Sequence, residues 1–237
     1  MLLTPLENNM TTKTPEELLK DLDSNDVNVR TDAASNPSAT PEVLLKALED
    51  EHKYVRCAAA GNPNATPEIL RKALEDKNEY VRSCAAENPN ATPEMLLKAL
   101  EDKDVRYAAT QNLNATPEVL LKALEDEDYH IRYYAAENPN ATHEVLLKAL
   151  EDWDYRVSLA AAGHPNATPE VLLKALKDTD YRVRKYAAGN PNATPEILLK
   201  ALSDKDELVR KSAQESLQKD PILQIQVAAL RAQSTET

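Results

Sequence analysis

Two apolar patterns alternate along most of the chain. In the first, as in PEVLLKAL from Pro41 to Leu48, the apolar positions are Val43, Leu44, Leu45, Ala47 and Leu48. On a helical wheel they cover more than half the circumference, wider than the stripe of a helix resting on one surface. Such a helix is expected to be wedged between neighbours on two sides. In the second pattern, as in YVRCAAA from Tyr54 to Ala60, Val55 and Ala59 lie one helical turn apart and face inward. Alanine recurs at the second of these places as Ala33, Ala59, Ala85, Ala109, Ala135, Ala161, Ala187 and Ala213, letting adjacent backbones approach closely.

Both patterns have marked ends. The first opens on Thr-Pro-Glu, with Thr as N-cap, Pro at the first helical position and an acid in the first turn. Thr14 and Glu17 form a capping box. The second stops at Asn-Pro, because the residue before proline avoids the helical region and Asn suits the start of a turn. Nothing alternates as a strand would, so the class is all-α.

The threonines fall at Thr14, Thr40, Thr66, Thr92, Thr116, Thr142, Thr168 and Thr194, 26 residues apart except for 24 between Thr92 and Thr116. A period of this kind predicts a solenoid in which each unit touches only its neighbours. We therefore expect an N-terminal extension over 1–13, a single domain of eight two-helix repeats over 14–219, and a C-terminal capping helix and tail over 220–237. The terminal units agree with this. Glu17, Asp21 and Asp32 put charge where nearly all later units are apolar or small, as a first repeat without a predecessor requires. Ser216 and Leu217 replace Asn-Pro in the last unit, so its second helix continues. Asp220-Pro221 then starts a lid with Ile222, Leu223, Val227 and Leu230 on one side. The fourth unit lacks two residues and has Leu113 for proline, which predicts an irregularity over 104–113.

The run VRSCAAENPNATPEMLLKAL, Val81 to Leu100, resembles the leucine-rich repeat variant family, whose units combine V-R-x-x-A-x-N-P with P-x-x-L-x-x-L. The resemblance implies alternating α and 3₁₀ helices in a right-handed superhelix without the strands of ordinary leucine-rich repeats, the short V-R-x-x-A-A element being our choice for the 3₁₀ helix. HEAT-like repeats, which also use Asp…Val-Arg, are the structural alternative. The founding member's cysteine-ligated iron–sulfur module is not implied, since no cysteine precedes Cys57. No cofactor is expected.

Composition narrows the function. The net charge is −12, opposite to the basic footprint of a nucleic-acid binder. Cys57 and Cys84 occupy different places in their units, form no CxxC and suggest no disulfide framework, which fits a reducing compartment. The chain shows neither a signal peptide nor a membrane span, so the expected location is cytoplasmic.

Several residue sets invite chemistry. The pairs Asp102/Asp104, Asp126/Asp128, Asp152/Asp154, Asp178/Asp180 and Asp204/Asp206 lack the further ligands and turn glycine of a calcium loop. Capping of the second helix explains them better. Arg30, Arg56, Arg82, Arg106, Arg132, Arg184 and Arg210 recur at one place, where Ser158 is the exception. Such a ladder could follow a phosphate backbone, but beside the aspartates it more naturally forms ion pairs. His52, His130, His143 and His164 share no ligand spacing, so no metal site is expected. No nucleophile or phosphate-binding motif occurs, and the expectation is a protein that is not an enzyme.

The aromatic residues are the strongest lead. Tyr54, Tyr80, Tyr107, Tyr129, His130, Tyr133, Trp153, Tyr155 and Tyr181 cluster around the start of the second helices at places that vary between units. Tyr134 and Tyr186 fall nearer the core side and are expected to be packed. A constant frame with variable, tyrosine-rich positions on one face follows the logic of a binding surface. The competing reading has the rings shielding seams between units. The sequence therefore predicts a protein- or peptide-binding scaffold, with nucleic-acid binding along the arginines and a ligand-free structural or engineered array as alternatives. A monomer is expected, although the oligomeric state is open.

Overall fold

A computed structural model describes residues 13–235, so all but the last residue of the expected extension over 1–13 lies outside the described residues. Every regular element described is an α-helix. By compactness the chain forms two units, one ending at Asn114 and the other beginning at Ala115. The first contains α1 (Pro15–Asp21), α2 (Val27–Ser35), α3 (Pro41–Ala47), α4 (Lys53–Gly61), α5 (Pro67–Ala73), α6 (Glu79–Glu87), α7 (Pro93–Ala99) and α8 (Arg106–Gln111). The second contains α9 (Pro117–Ala123), α10 (Tyr129–Glu137), α11 (His143–Ala149), α12 (Tyr155–Gly163), α13 (Pro169–Ala175), α14 (Tyr181–Gly189), α15 (Pro195–Ala201), α16 (Glu207–Lys219) and α17 (Pro221–Thr235).

Each unit is an α-solenoid of helix pairs. Within the first, α2, α4, α6 and α8 stack in sequence; within the second, α10, α12, α14 and α16 do the same. Odd-numbered helices also pack on one another, α1 to α3 to α5 in the first and α9 to α11 to α13 to α15 in the second, and every pair packs internally. Val43, Leu44 and Ala47 show how an odd helix enters the core: all three are buried, whereas Leu45 and Leu48 stay partly accessible. The alanines from Ala33 to Ala213 singled out above are all buried, which is what close approach of stacked backbones demands.

The second helices are not 3₁₀. They are nine-residue α-helices in most repeats, such as α4 and α10. In most of them an Asp or Asn cap satisfies the first amides, as where Asp26 accepts from the Asn28 N–H at 2.9 Å, although His52 precedes α4 without a side-chain cap; alanine then favours the wider α turn. The end turns are tighter: the Val55 N–H donates to the His52 carbonyl at 3.1 Å and the Asn62 N–H to the Ala59 carbonyl at 3.4 Å. In the fourth repeat the two missing residues shorten this helix to α8, which has six residues and no side-chain cap at Val105.

The turns are stitched rather than merely shaped. Asn62, Asn88, Asn112 and Asn190 are buried, and each donates through its side-chain amide to two carbonyls of the preceding repeat. A second row two residues further on repeats the pattern: Asn64 donates to the carbonyls of Pro37 and Ala39 at 2.8 and 3.1 Å. Buried carbonyls at a helix end need such donors. His164 and Ser216 take the asparagine's place in two repeats and keep a bond to the previous repeat, to the carbonyls of Asn138 and Ala188.

Two expectations are corrected here. Cys57 on α4 and Cys84 on α6 form a disulfide, with Cα atoms 5.6 Å apart. Their separation of 27 residues is one repeat plus one residue, and stacked helices of neighbouring repeats bring such positions within bridging distance. In α17, Val227 is buried and Leu223 and Leu230 are half-buried, but Ile222 is 66% exposed. The buried stripe follows the 4- and 3-residue steps of a helix, and Ile222 lies one residue off it. No helix among the described residues is long and apolar enough to cross a membrane.

Candidate functional site

The aspartates and arginines that frame the second helices form a repeating lock. Arg30, Arg56, Arg82, Arg132 and Arg184 each direct Nε to one oxygen of Asp50, Asp76, Asp102, Asp152 and Asp204 in the following repeat, at 2.6–2.8 Å. Nη2 reaches the other oxygen at 3.0–3.4 Å. The remaining nitrogen donates to main-chain carbonyls of its own repeat, for Arg56 those of Asp50 and Glu51 at 2.9 Å. The aspartate also accepts a backbone N–H two residues on, as from Asp206 to Asp204. For Asp204 the Arg184 fork holds the carboxyl below its ordinary range. For Asp50, burial pushes the carboxyl up, but Arg30 and the His52 N–H together outweigh it and leave it low. The second aspartate of four pairs has the separate task of capping its helix, as Asp128, Asp154, Asp180 and Asp206 do, whereas Asp104 lies 3.5 Å from Arg82 and caps nothing. Asp50 and Asp76 perform the first task without a second aspartate, since His52 and Asn78 follow them.

The predicted aromatic residues divide between the two units. In the first, Tyr54 and Tyr80 are exposed and meet edge to face, with ring centroids 6.3 Å apart. Lys53 lies 5.4 Å from the first ring centroid and 5.6 Å from the second, within cation–π range. Tyr107 is exposed on α8.

In the second unit, Tyr129, Tyr155 and Tyr181 begin α10, α12 and α14. The Arg156 guanidinium stacks on Tyr129 at 3.6 Å and that of Arg182 on Tyr155 at 3.5 Å. Each arginine also forks onto its own capping aspartate, Asp154 or Asp180, which holds those carboxyls low and raises the arginines. One face of Tyr129 and of Tyr155 is thus covered, a relation hidden in the sequence because it joins the first residue of one second helix to the second residue of the next. Leu208 occupies the place that would cover Tyr181, which remains exposed. His130 packs against Tyr129, with ring centroids 3.9 Å apart. Tyr133 is half-buried, donates to Glu137 at 2.9 Å and packs on Tyr134. Burial, followed by Glu137, pushes its hydroxyl up to about 12. Trp153 is 81% exposed.

Tyr186 departs from expectation. It is 47% exposed on α14 rather than packed, because its ring lies over Gly163 of the preceding repeat at the surface of the stack. Tyr134 is half-buried. Tyr186 therefore joins the accessible aromatic set, and the glycine one repeat back was the available signal.

A solved structure described as a leucine-rich repeat variant with a novel repetitive protein structural motif matches at a TM-score of 0.63 and 25% identity, over 86% of this chain and 82% of that one. The chain shares the fold of a leucine-rich repeat variant. That fold accounts for the period and for the helix pairs stacked within each unit. A structure of Escherichia coli YibA aligns over 88% of this chain and 93% of that one at 20% identity and a TM-score of 0.45. An engineered protein aligns over 86% and 94% at 24% identity and a TM-score of 0.25. Likeness at those scores carries no argument beside the leucine-rich repeat variant. The sequence matches no family model and no curated protein.

Proposed function

We propose that this chain is a non-catalytic scaffold that binds a protein or peptide through the aromatic positions around the starts of its second helices. The observation that supports this reading most is the accessibility of Tyr54, Tyr80, Tyr107, Trp153 and Tyr181 on an otherwise repetitive frame. Tyrosine and tryptophan offer large contact area at low entropic cost, and the net charge of −12 favours a partner with basic and apolar groups. The structural reading, with rings only shielding seams, suits Tyr129 and Tyr155 better than it suits Trp153. Nucleic-acid binding along the arginines is the weaker reading, because five of them are already forked onto carboxylates.

Selection from a random peptide library on the immobilised chain tests the proposal. Enriched peptides should combine arginine or lysine with apolar residues. They should lose binding to a variant carrying Tyr54→Ala, Tyr80→Ala, Trp153→Ala and Tyr181→Ala. No enrichment, or equal retention by that variant, would overturn it. Retention on single-stranded or duplex DNA at low salt would favour the nucleic-acid reading instead.

A further inference from the structure

The arginine lock is broken at one repeat, where Ser158 stands at the arginine's place. Ser158 is 1% exposed, so the short side chain sits at the bottom of the site and not on its rim. Above it a cavity of about 430 Å³ opens between the second helix of this repeat and the turn of the next. Asp152, Trp153, Asp178 and Thr179 are among its walls. Trp153 and Thr179 are exposed and mark the mouth.

The acceptors that bind a guanidinium in the other repeats are all present. Asp178 corresponds to Asp50, Asp76, Asp102, Asp152 and Asp204. It already accepts the Asp180 N–H at 2.7 Å, as its counterparts accept theirs. Among the described residues no basic side chain is ion-paired with its carboxylate, whereas each of those counterparts is forked by an arginine. The main-chain carbonyls of Asp152 and Trp153 occupy the places where Arg56 uses Asp50 and Glu51, and Arg132 uses Asp126 and Glu127. Asp154 and Asp180 do not compete for a ligand, because Arg156 and Arg182 engage them. The Trp153 ring beside the mouth is already stacked by a guanidinium on one side, Arg132 at 4.8 Å.

We propose that this cavity is a receptor for an arginine side chain supplied by a protein or peptide partner. The planar fork meets Asp178 with two parallel hydrogen bonds, and the third nitrogen meets the carbonyls of Asp152 and Trp153. Lysine, a point charge without the fork, satisfies only part of this set. The chain itself displays the same binding geometry five times over, with the arginine tethered. That the natural occupant belongs to a partner rests on the peptide-binding reading; the chemistry of the pocket does not.

Trp153 is the only tryptophan and serves as reporter. The full chain is titrated with Nα-acetylarginine amide and, separately, with Nα-acetyllysine amide, following tryptophan emission. A saturable change with the arginine compound is expected, and the lysine compound should bind roughly tenfold more weakly or worse. Ser158→Arg should abolish the change by filling the pocket, and should raise the melting temperature. Asp178→Asn should weaken binding by roughly tenfold or more. No saturable change in the unaltered chain, equal binding of both compounds, or undiminished binding by either variant overturns the proposal. These outcomes judge the pocket alone, whereas the peptide selection with its aromatic variant judges the wider face, so either can fail without the other.

Discussion

Asn88 donates its side-chain amide backwards to Ala60, whose carbonyl lies in the last turn of the second helix of the preceding repeat, at 2.7 Å. The same nitrogen reaches the Asn62 carbonyl at 2.9 Å. Because Asn88 is buried, water cannot replace these bonds. Asn88→Ala should destabilise the first unit by about 1–3 kcal/mol, the usual range for leaving a buried acceptor unpaired. Asn88→Asp should cost more, since a carboxylate would face two carbonyls. Urea unfolding followed by circular dichroism measures both.

His164 makes the second prediction. The Asn166 N–H is directed at Nδ1 at 3.0 Å, so that nitrogen must be an acceptor and the proton sits on Nε2, which faces the Asn138 carbonyl at 3.1 Å. Only the neutral ring makes both bonds. Burial is the main force lowering its pKa below the ordinary 6.5, opposed by the Asn138 carbonyl and the charge of Glu137. A lowered value in the folded state means the contribution of this group is complete above 6.5 and is lost as pH falls towards the folded pKa. His164→Asn, restoring the residue of neighbouring repeats, should flatten the fall of melting temperature between about pH 7.5 and about pH 5. An unchanged slope would contradict this assignment.

The Cys57–Cys84 bond crosses from one repeat to the next and closes a segment of 27 residues. Constraint of the unfolded chain by a loop of this length stabilises by about 3.5 kcal/mol. Replacing both cysteines with serine should lower the unfolding midpoint of the first unit accordingly. Mass spectrometry of the intact chain should show the loss of two hydrogens before reduction and their recovery afterwards.

Gly61 and Gly163 end equivalent helices but should respond differently to alanine. A Cβ on Gly61 meets nothing within 4 Å, whereas one on Gly163 would lie 2.9 Å from the Tyr186 ring. Neither needs a positive φ. Gly61→Ala should stabilise by about 0.4–1 kcal/mol through the unfolded state. Gly163→Ala should gain less and should displace Tyr186, which shifts in the aromatic region of the NMR spectrum would reveal.

The helix pairs were legible because a threonine opens every repeat and an asparagine–proline stop closes five of the eight. Burial at Val55 and Ala59 likewise follows from spacing within one helix. What escaped were relations between repeats. Asn62 reads as a turn residue until its amide is seen reaching Ala34. Cys57 and Cys84 look unrelated because they lie one position out of register in their repeats. Tyr129 looks open until Arg156 is placed over it. The offset with which one helix rests on the next decides all three, and a periodic sequence states the period without stating that offset. The exposure of Trp153 was foreseeable from its variable place, but the pocket below it required knowing where the other arginines point.

Within each unit the asparagine amides reach back to a repeat already made, and the arginines reach forward to the aspartate of the one to come. A chain leaving the ribosome thus presents every new turn to finished carbonyls. Each arginine waits only about twenty residues for its partner. Synthesis and folding can therefore advance together, in steps as long as the period itself.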